Sequence, residues 1–370
     1  METLSIFEDK DNPQLVKADR KLLLALVLVY SVIALLNLGT LNFPTSAWMP
    51  QRGDAVTLDF GEPVEIQYFF VNSNFFVDVT SYWAGADSCG GELRIVTDGG
   101  LAMPFIPEDA TQFKWVSHWA KIPKTQRLTL IVEKDRIAIN EVGFYDADWN
   151  LLPVKAVSEG GAELVDEQHT VPKAYSYFNG MYFDEMYHAT TAYGFLHNSE
   201  IFEWTHPPLG KLIISIGIAI FGMVPFGWRV MGALFGIGMI PILYIFAKRI
   251  FRRTDFAFLA AAFFTFDCMH FTQTRIATVD GYAVFFILLM YLFMYDYMCM
   301  SFYDEPLKKT FKPLLLSGVF FGLGVAVKWI CLFAGIGLAA LFFWTLGLRF
   351  YERAKANPYA SHYQPFFTLC

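Results

Sequence analysis

Two adjacent carboxylates, Asp184 and Glu185, precede a segment with a helical pattern. Such a side chain can act as a general base, because it can accept the proton of a reacting hydroxyl group. A structural role is the alternative, since an Asp at a helix N-cap and a Glu in the first turn satisfy backbone amides. His188 could form a metal-ligand pair with Asp184, but no further ligands cluster there. We therefore predict no metal site.

A second candidate is the segment Thr205-His206-Pro207-Pro208-Leu209-Gly210-Lys211. Its prolines fix an extended approach and can start a helix, while Gly210 permits close backbone contact. His206 and Lys211 flank this turn and could face an anionic head group or a diphosphate-like ligand. The structural alternative is a proline-capped interfacial helix whose lysine extends to the membrane surface.

Two arginines lie where apolar runs begin or end. Arg229 follows Trp228 at the start of a run and is either an interfacial anchor or a permanently charged donor to a phosphate. Arg275 and Asp280 share a short loop between two apolar runs. They could belong to a binding site, or they could pair with each other while Asp280 caps a helix.

The composition assigns these residues to a membrane protein. Hydrophobic residues make up 55% of the chain and charged residues only 17%, against roughly a quarter in soluble domains. Residues 42–206 hold 10 Lys and Arg against 23 Asp and Glu, a net charge of −13, so the remainder carries +6. An acidic, water-facing block is thus joined to a basic, apolar remainder. The sequence has no basic stripe with interleaved aromatic residues, so it does not predict nucleic-acid binding.

The five cysteines predict neither disulfides nor a zinc site. Three lie in apolar runs, one stands alone in the polar block and one ends the chain, and Cys/His zinc spacing is absent. These residues are Cys268, Cys299, Cys331, Cys89 and Cys370.

Short β-rich runs separated by turn residues predict an extracellular antiparallel β-sandwich over 50–157. The runs are Val56–Phe60, Leu93–Thr97, Leu128–Val132 and Val142–Tyr145. An external loop with the acidic motif and a short apolar stretch follows over 158–226.

The expected fold class is a polytopic α-helical membrane protein. Leu22–Leu38 follows three basic residues and reads as an uncleaved first span within a 1–41 segment whose N-terminus is cytoplasmic. Residues 227–350 predict about five spans, because the apolar stretch 313–348 is too long for one and breaks near Lys328-Trp329. Residues 351–370 read as a cytoplasmic tail of a truncated chain.

Basic clusters decide the predicted topology. Three basic clusters follow residue 247, surround 308–312 and follow residue 348. All three lie in the cytoplasm only if Leu209–Phe221 is re-entrant or interfacial. The acidic motif, Arg229 and the 274–280 loop then lie on the external side. A transporter would more often spread its ionisable groups through the midplane.

Taken together, these motifs resemble one family in order and spacing. It is the dolichyl-phosphate-mannose-dependent protein mannosyltransferase family of polyprenyl-phosphate-sugar glycosyltransferases, and its bacterial phospholipid-carrier-dependent members look most similar. The resemblance covers about 181–348 and the first span. It is carried by Phe183-Asp184-Glu185, His206–Lys211, Trp228–Gly236, Arg275–Asp280 and Val327-Lys328-Trp329.

The resemblance implies an inverting, metal-independent transfer of a hexose, usually mannose, to Ser/Thr hydroxyls of exported protein. The donor would be a dolichyl- or undecaprenyl-phosphate hexose, with no further cofactor. Asp184 would be the catalytic base and Glu185 its acidic neighbour. The donor phosphate and substrate would be bound by His206, Lys211, Arg229, Arg275 and Asp280.

Two departures from the family pattern affect these expectations. Relatives continue through more spans, so missing spans or a partner chain are expected. Residues 53–155 form an insertion that resembles discoidin-like modules at Val56–Phe60 and Asn140–Asp146. Such a module could bind carbohydrate, dock a partner or serve structure alone.

The sequence also fits other functions. The same chemistry could act on a lipid or a cell-wall polymer, and a membrane-anchored glycan-binding receptor would explain the insertion but not the other motifs. The expected location is the cell membrane, with the active site on the extracellular face.

Overall fold

The computed structural model describes residues 13–74, 92–105, 112–134, 137–158, 160–199, 201–300 and 307–356, with only the backbone described at 307 and 352–356. The chain divides into two compact units. The sheet unit comprises Asn37–Trp204 and Lys211–Met231. The helical unit comprises Met1–Leu36, Thr205–Gly210 and Gly232–Cys370.

The described strands form one connected antiparallel sheet in the order β3-β2-β4-β1-β5, with β6 paired to β1. Alternate residues of β1, among them Val56 and Leu58, face the core beside Leu128 and Leu130 of β4. The strands are β1 (Ala55–Ser73), β2 (Glu92–Thr97), β3 (Ala102–Phe105), β4 (Trp115–Lys134), β5 (Ile139–Tyr145) and β6 (Lys155–Ala156).

All four predicted β-rich runs are confirmed as strand segments, in β1, β2, β4 and β5. The predicted stacking of two sheets is not confirmed, because the described strands are hydrogen-bonded into a single sheet. The resemblance to a discoidin-like module is not confirmed either. Cys89 and Cys370, for which we predicted no disulfide, lie outside the described residues.

The chain between the sheet and the acidic motif is built from three single 3₁₀ turns, Ala162–Leu164, Gln168–Thr170 and Tyr177–Asn179. In the last turn, Ser176 accepts a hydrogen bond from the Phe178 amide and Asn179 accepts one from the Ser176 amide. These reciprocal bonds fix the approach to Asp184.

Nine α-helices occur within the described residues. Where one of the about five spans predicted over 227–350 would lie, the chain forms two short helices instead, Thr254–Thr265 and Cys268–Thr274. The stretch 313–348 breaks into two helices at Lys328-Trp329, and the short stretch forms its own helix over Leu209–Phe221. The helices are α1 (Lys17–Leu35), α2 (Glu185–His197), α3 (Leu209–Phe221), α4 (Pro225–Phe251), α5 (Thr254–Thr265), α6 (Cys268–Thr274), α7 (Asp280–Cys299), α8 (Leu307–Val327) and α9 (Ile330–Ala356).

Four of the described helices, α4, α7, α8 and α9, are long and apolar enough to cross a membrane. Helix α1 has four charges in its first five residues, so its role as the first span stays a prediction. Helix α3 has 13 residues. At about 1.5 Å of rise per residue it falls well short of the ~30 Å hydrocarbon core. This length is consistent with the predicted re-entrant or interfacial role.

Ion pairs join helices within the helical unit. Asp19 of α1 is fully buried and binds Lys248 of α4 at 3.0 Å, while the Tyr244 hydroxyl donates to the same carboxylate at 2.9 Å. Arg249 binds Asp296 of α7 at 2.6 Å. Two cations of the cluster after residue 247 therefore also hold helices together.

Candidate functional site

Asp184 lies at the N-terminus of α2, at the end of a strained turn. The preceding Phe183 has φ = +54°, a left-handed conformation that is unfavourable for a bulky side chain, and its ring is 73% exposed. Asp184 occupies the N-cap position, but its half-buried side chain makes no capping hydrogen bond. Asp184 therefore occupies the N-cap position that the structural alternative predicts, but its carboxylate does not cap the helix.

Glu185 is fully buried and fixed by three donors. One carboxylate oxygen accepts from Arg229 Nε at 2.6 Å. The other accepts from Arg229 Nη2 and from the Tyr182 amide, the latter at 2.7 Å. The adjacent carboxylates therefore occupy different environments, one buried in an ion pair and the other partly open.

Arg229, the fifth residue of α4, is also fully buried. Besides binding Glu185 through two nitrogens, it donates to the backbone carbonyls of Leu38 at 3.1 Å, Tyr177 at 2.6 Å and Gly180 at 2.9 Å. The guanidinium also lies 4.4 Å from the centre of the Tyr177 ring. Arg229 therefore clamps the loop that leads to Asp184.

Lys211 is only 1% exposed and binds Glu203, a residue that sequence reasoning missed. Its Nζ donates to a Glu203 carboxylate oxygen at 2.6 Å and to the Glu203 carbonyl at 2.8 Å. The same carboxylate lies 3.8 Å from His188 Nδ1 of α2. The interpretation of Lys211 as a lysine extended to the membrane surface is wrong, because its ammonium group lies in a buried ion pair. A lone carboxylate within the apolar run 201–204 was the available signal for Glu203.

His206 and Gly210 belong to the helical unit. His206 is half-buried, and its Nδ1 lies 3.0 Å from the Thr205 hydroxyl. The Thr205 carbonyl accepts from the Trp329 indole at 3.0 Å. A Cβ at Gly210 would lie 2.6 Å from a Val279 methyl group, so glycine allows α3 to begin against the loop before α7. The glycine thus has a packing role.

Arg275 and Asp280 each bind other parts of the helical unit. Arg275 is nearly buried and donates to the Ile33 carbonyl of α1 at 2.6 Å. Asp280 is the first residue of α7 and accepts from Lys328 Nζ at 2.7 Å. The N-cap is Val279, so the suggestion that Asp280 caps the helix is wrong by one position.

The structure thus joins some predicted site residues and holds others separately. Within the sheet unit, Glu185 and Arg229 form one ion pair next to Asp184, and Lys211 forms another with Glu203. His206, Arg275 and Asp280 lie in the helical unit. Their assignment to the donor phosphate stays a prediction.

Three carboxylates of the sheet unit converge to within 4.8 Å at Glu141, Asp166 and Glu167. Burial raises the pKa of Glu141 to about 8, and the nearby carboxylates act in the same direction. Glu167 accepts four hydrogen bonds from Thr45 and Ser46. A protonated Glu141 is a poor cation ligand, and the carboxylate of Glu167 is already used to hold a loop.

Comparison with known proteins identifies similarity to one enzyme family. Residues 219–368 match the family model for dolichyl-phosphate-mannose-protein mannosyltransferase. This match confirms the predicted resemblance, although it begins after the acidic motif and after Lys211. The family match therefore does not test the roles predicted for those residues.

Bacterial relatives named polyprenol-phosphate-mannose–protein mannosyltransferase also match. The Mycobacterium tuberculosis protein is 32% identical over 136 residues, which cover 37% of this chain and 24% of the relative. The Mycolicibacterium smegmatis protein is 28% identical over 201 residues, 49% of this chain and 38% of the relative. The Corynebacterium glutamicum protein is 28% identical over 210 residues, which cover 51% of this chain and 38% of the relative. The aligned parts are therefore well under half of each relative. No solved structure matches.

Proposed function

We propose that this chain is part of a membrane glycosyltransferase that transfers mannose from a polyprenyl-phosphate carrier to Ser/Thr hydroxyls of exported protein. The observation that carries the proposal is the placement of Asp184. Its carboxylate makes no capping bond and stands at the end of a turn that a buried Arg229–Glu185 pair holds in place. The names of the relatives support the donor and the acceptor class.

In the proposed reaction, Asp184 accepts the proton of the acceptor hydroxyl. The hydroxyl oxygen attacks the anomeric carbon on the face opposite the lipid phosphate. The bond between that carbon and the phosphate oxygen breaks, and its electron pair leaves with the lipid phosphate. The configuration of the sugar is inverted, and a carboxylate base on one side of the sugar is what this geometry requires.

Glu185 and Arg229 serve as positioning residues in this proposal. Arg229 binds both oxygens of Glu185 and two carbonyls of the loop before Asp184, so the pair fixes the base in its orientation. This role differs from the direct phosphate contact that the family resemblance implied for Arg229.

As part of the proposal, cationic and hydrogen-bonding side chains already named bind the donor phosphate. A departing phosphate is stabilised by fixed cations and N–H donors, and we propose no divalent metal or other cofactor. The candidate within the sheet unit is Lys211. Those within the helical unit are His206, Arg275 and Asp280, the last through its ion pair with Lys328.

The proposed location is the cell membrane, with the sheet unit and Asp184 on the outer side. The supporting observation is the charge distribution, −13 over residues 42–206 against +6 for the rest of the chain. Further spans or a partner chain would complete the enzyme, because the aligned part is 24–38% of the relatives.

The test is the substitution Asp184→Asn in membranes that contain the chain, supplied with polyprenyl-phosphate mannose and a Ser/Thr peptide. Losing a general base should lower transfer by about 100-fold or more. Asp148→Asn, at an exposed turn of the sheet unit, is the matched control and should transfer at the normal rate. Normal transfer by Asp184→Asn would refute the base assignment. Transfer to lipid or polysaccharide but not to peptide would instead identify another acceptor class.

A further inference from the structure

A groove of about 360 Å³ opens beside the acidic motif within the sheet unit. One wall is the start of β4, and the other is the loop that ends at Asp184. Its lining consists of Lys114, Trp115, Tyr175, Ser176, Tyr177, Gly180, Met181, Tyr182 and Phe183. The lining ends at Phe183, which directly precedes the proposed base in the chain; Asp184 itself is not part of the lining.

The wall of the groove contains a buried N–H donor that lacks a hydrogen-bond acceptor. Trp115 is only 1% exposed, and its indole N–H has no hydrogen-bond partner among the residues that the structure describes. Burying an N–H group without an acceptor is unfavourable, and native proteins rarely do so. A ligand that carries a carbonyl or hydroxyl oxygen would satisfy this group.

Three aromatic side chains of the same groove are exposed. Tyr175, Tyr182 and Phe183 are 54%, 56% and 73% exposed, and the last two rings lie 6.4 Å apart. Neighbouring exposed aromatic rings are typical of binding surfaces, because they bury a large area on contact. The exposed Lys114 adds a positive charge at the rim.

The groove is formed before any ligand arrives. Arg229 holds the carbonyls of Tyr177 and Gly180, and the Ser176–Asn179 bonds fix the turn between them. A preformed wall reduces the entropy that is lost on binding. The loop is therefore suited to bind a flexible chain.

We propose that this groove binds the acceptor polypeptide as an extended segment next to the hydroxyl that Asp184 deprotonates. The proposal rests on the proposed function. The Trp115 indole donates to a backbone carbonyl of the acceptor, and the exposed rings pack against side chains that flank the modified residue. Lys114 favours an acceptor with acidic residues on that side.

A polypeptide fits the groove better than the lipid part of the donor does. The walls come from the acidic, water-facing part of the chain and combine a cation, an indole N–H and tyrosine hydroxyls with the rings. A polyprenyl chain offers no oxygen for the indole. A polypeptide offers a carbonyl at every residue.

The test uses the variants Trp115→Phe, which removes the indole N–H donor and shortens the aromatic ring system, and Tyr175→Ala, which leaves Trp115 in place. Transfer is measured with a Ser/Thr peptide and polyprenyl-phosphate mannose, along with slow release of mannose to water. We expect the KM for the peptide to rise about tenfold, which matches the loss of one hydrogen bond or ring contact. The KM for the donor and the release of mannose to water should not change.

Trp119→Ala is the matched control. Trp119 lies on the same strand, is exposed and is not part of the groove lining, so the peptide KM should stay normal. Lys114→Glu supplies a second measurement, because it should reverse the preference between peptides with acidic and basic flanks.

Failure of this proposal differs from failure of the proposed function. An unchanged peptide KM in Trp115→Phe and Tyr175→Ala, with Asp184→Asn inactive, would overturn the groove assignment alone. A raised donor KM would also overturn it. Peptide binding can also be measured directly by photocrosslinking to the wild type and to Tyr175→Ala, which tests the groove even where no transfer is measured. Equal crosslinking of the two proteins would refute the groove assignment.

Discussion

Asp184 and Glu185 are neighbours in the chain but have different roles in the structure. Glu185 is enclosed with Arg229, whereas Asp184 keeps its carboxylate out of capping bonds. The sequence could predict that the pair starts a helix, because Asp and Glu are typical of first turns. It could not predict which carboxylate would be buried, because that depends on an arginine 44 positions later in the chain.

Replacing Arg229 should destabilise the protein strongly. In Arg229→Lys the charge is kept, but a single ammonium group cannot bind both Glu185 oxygens and three carbonyls at once. We expect a loss of several kcal/mol, because each buried carbonyl left without its donor typically costs about 1–3 kcal/mol. Thermal unfolding in detergent measures it.

The control for that measurement is Arg127→Lys. Arg127 is exposed and binds Asp59 at 2.9 Å, so its replacement should change stability by about 1 kcal/mol or less. Equal effects of the two substitutions would contradict the clamp role of Arg229.

The buried Glu141 predicts a pH-dependent stability. Burial raises its pKa to about 8, against about 4.3 in an unfolded chain, so the folded state holds a proton that the unfolded state releases. The associated stabilisation is complete below about pH 4 and is lost as the pH rises through about 8. Unfolding midpoints followed by tryptophan fluorescence should therefore fall over this range.

Glu141→Gln should flatten that profile, because glutamine stays neutral at every pH. Glu133→Gln, at a partly exposed ion pair with Arg94, is the comparison and should leave the profile unchanged. A profile as steep in Glu141→Gln as in the wild type would contradict the prediction.

At the scale of elements, the short helices are linked by Glu203. Lys211, in the first turn of α3, donates to the Glu203 carboxylate. From α2, His188 lies near the same carboxylate and the Thr191 hydroxyl accepts from the Glu203 amide. The link spans α2 and α3 within the sheet unit. It therefore ties the helix that starts at Asp184 to the short apolar helix.

Removing only one partner of this link should be worse than removing both. Glu203→Gln leaves the Lys211 ammonium buried without its counter-charge, which typically costs about 3–5 kcal/mol. The double variant Glu203→Leu/Lys211→Met replaces the pair by apolar side chains and should recover most of the stability. Thermal unfolding of the three proteins measures this.

Donor binding by the double variant then separates the two roles of Lys211. Normal binding of polyprenyl-phosphate mannose would indicate that Lys211 acts only through structure. Weak binding by a stable double variant would support a direct contact with the phosphate.

Much of the element pattern could be predicted from the sequence, and the failures have physical causes. An isolated apolar run with prolines before it identified α3, and a Lys-Trp pair within a long run identified the break between α8 and α9. The strand at Val56–Phe60 was predicted too short, because Gly61-Glu62-Pro63 resembles a turn. In the structure β1 continues through these residues with shifted pairing to β4. The groove depends on the loop and β4 coming together in space, which spacing alone does not reveal.

At the scale of the whole molecule, the predicted topology can be tested by cysteine labelling. In a background without native cysteines, Asp148→Cys should react with a membrane-impermeant reagent in intact cells. Lys309→Cys should react only after permeabilisation, because basic residues flanking a span remain in the cytoplasm. Labelling of Lys309→Cys from outside would contradict the topology and the re-entrant role of α3.

The clamp at Arg229 has a mechanical consequence. The guanidinium that holds the loop before Asp184 projects from the fifth residue of α4, one of the four helices suited to cross the bilayer. A helix that tilts to match a thinner or thicker membrane moves its own N-terminal end. The loop that carries Asp184, the proposed base, should move with it, so the rate of the proposed transfer should depend on membrane thickness.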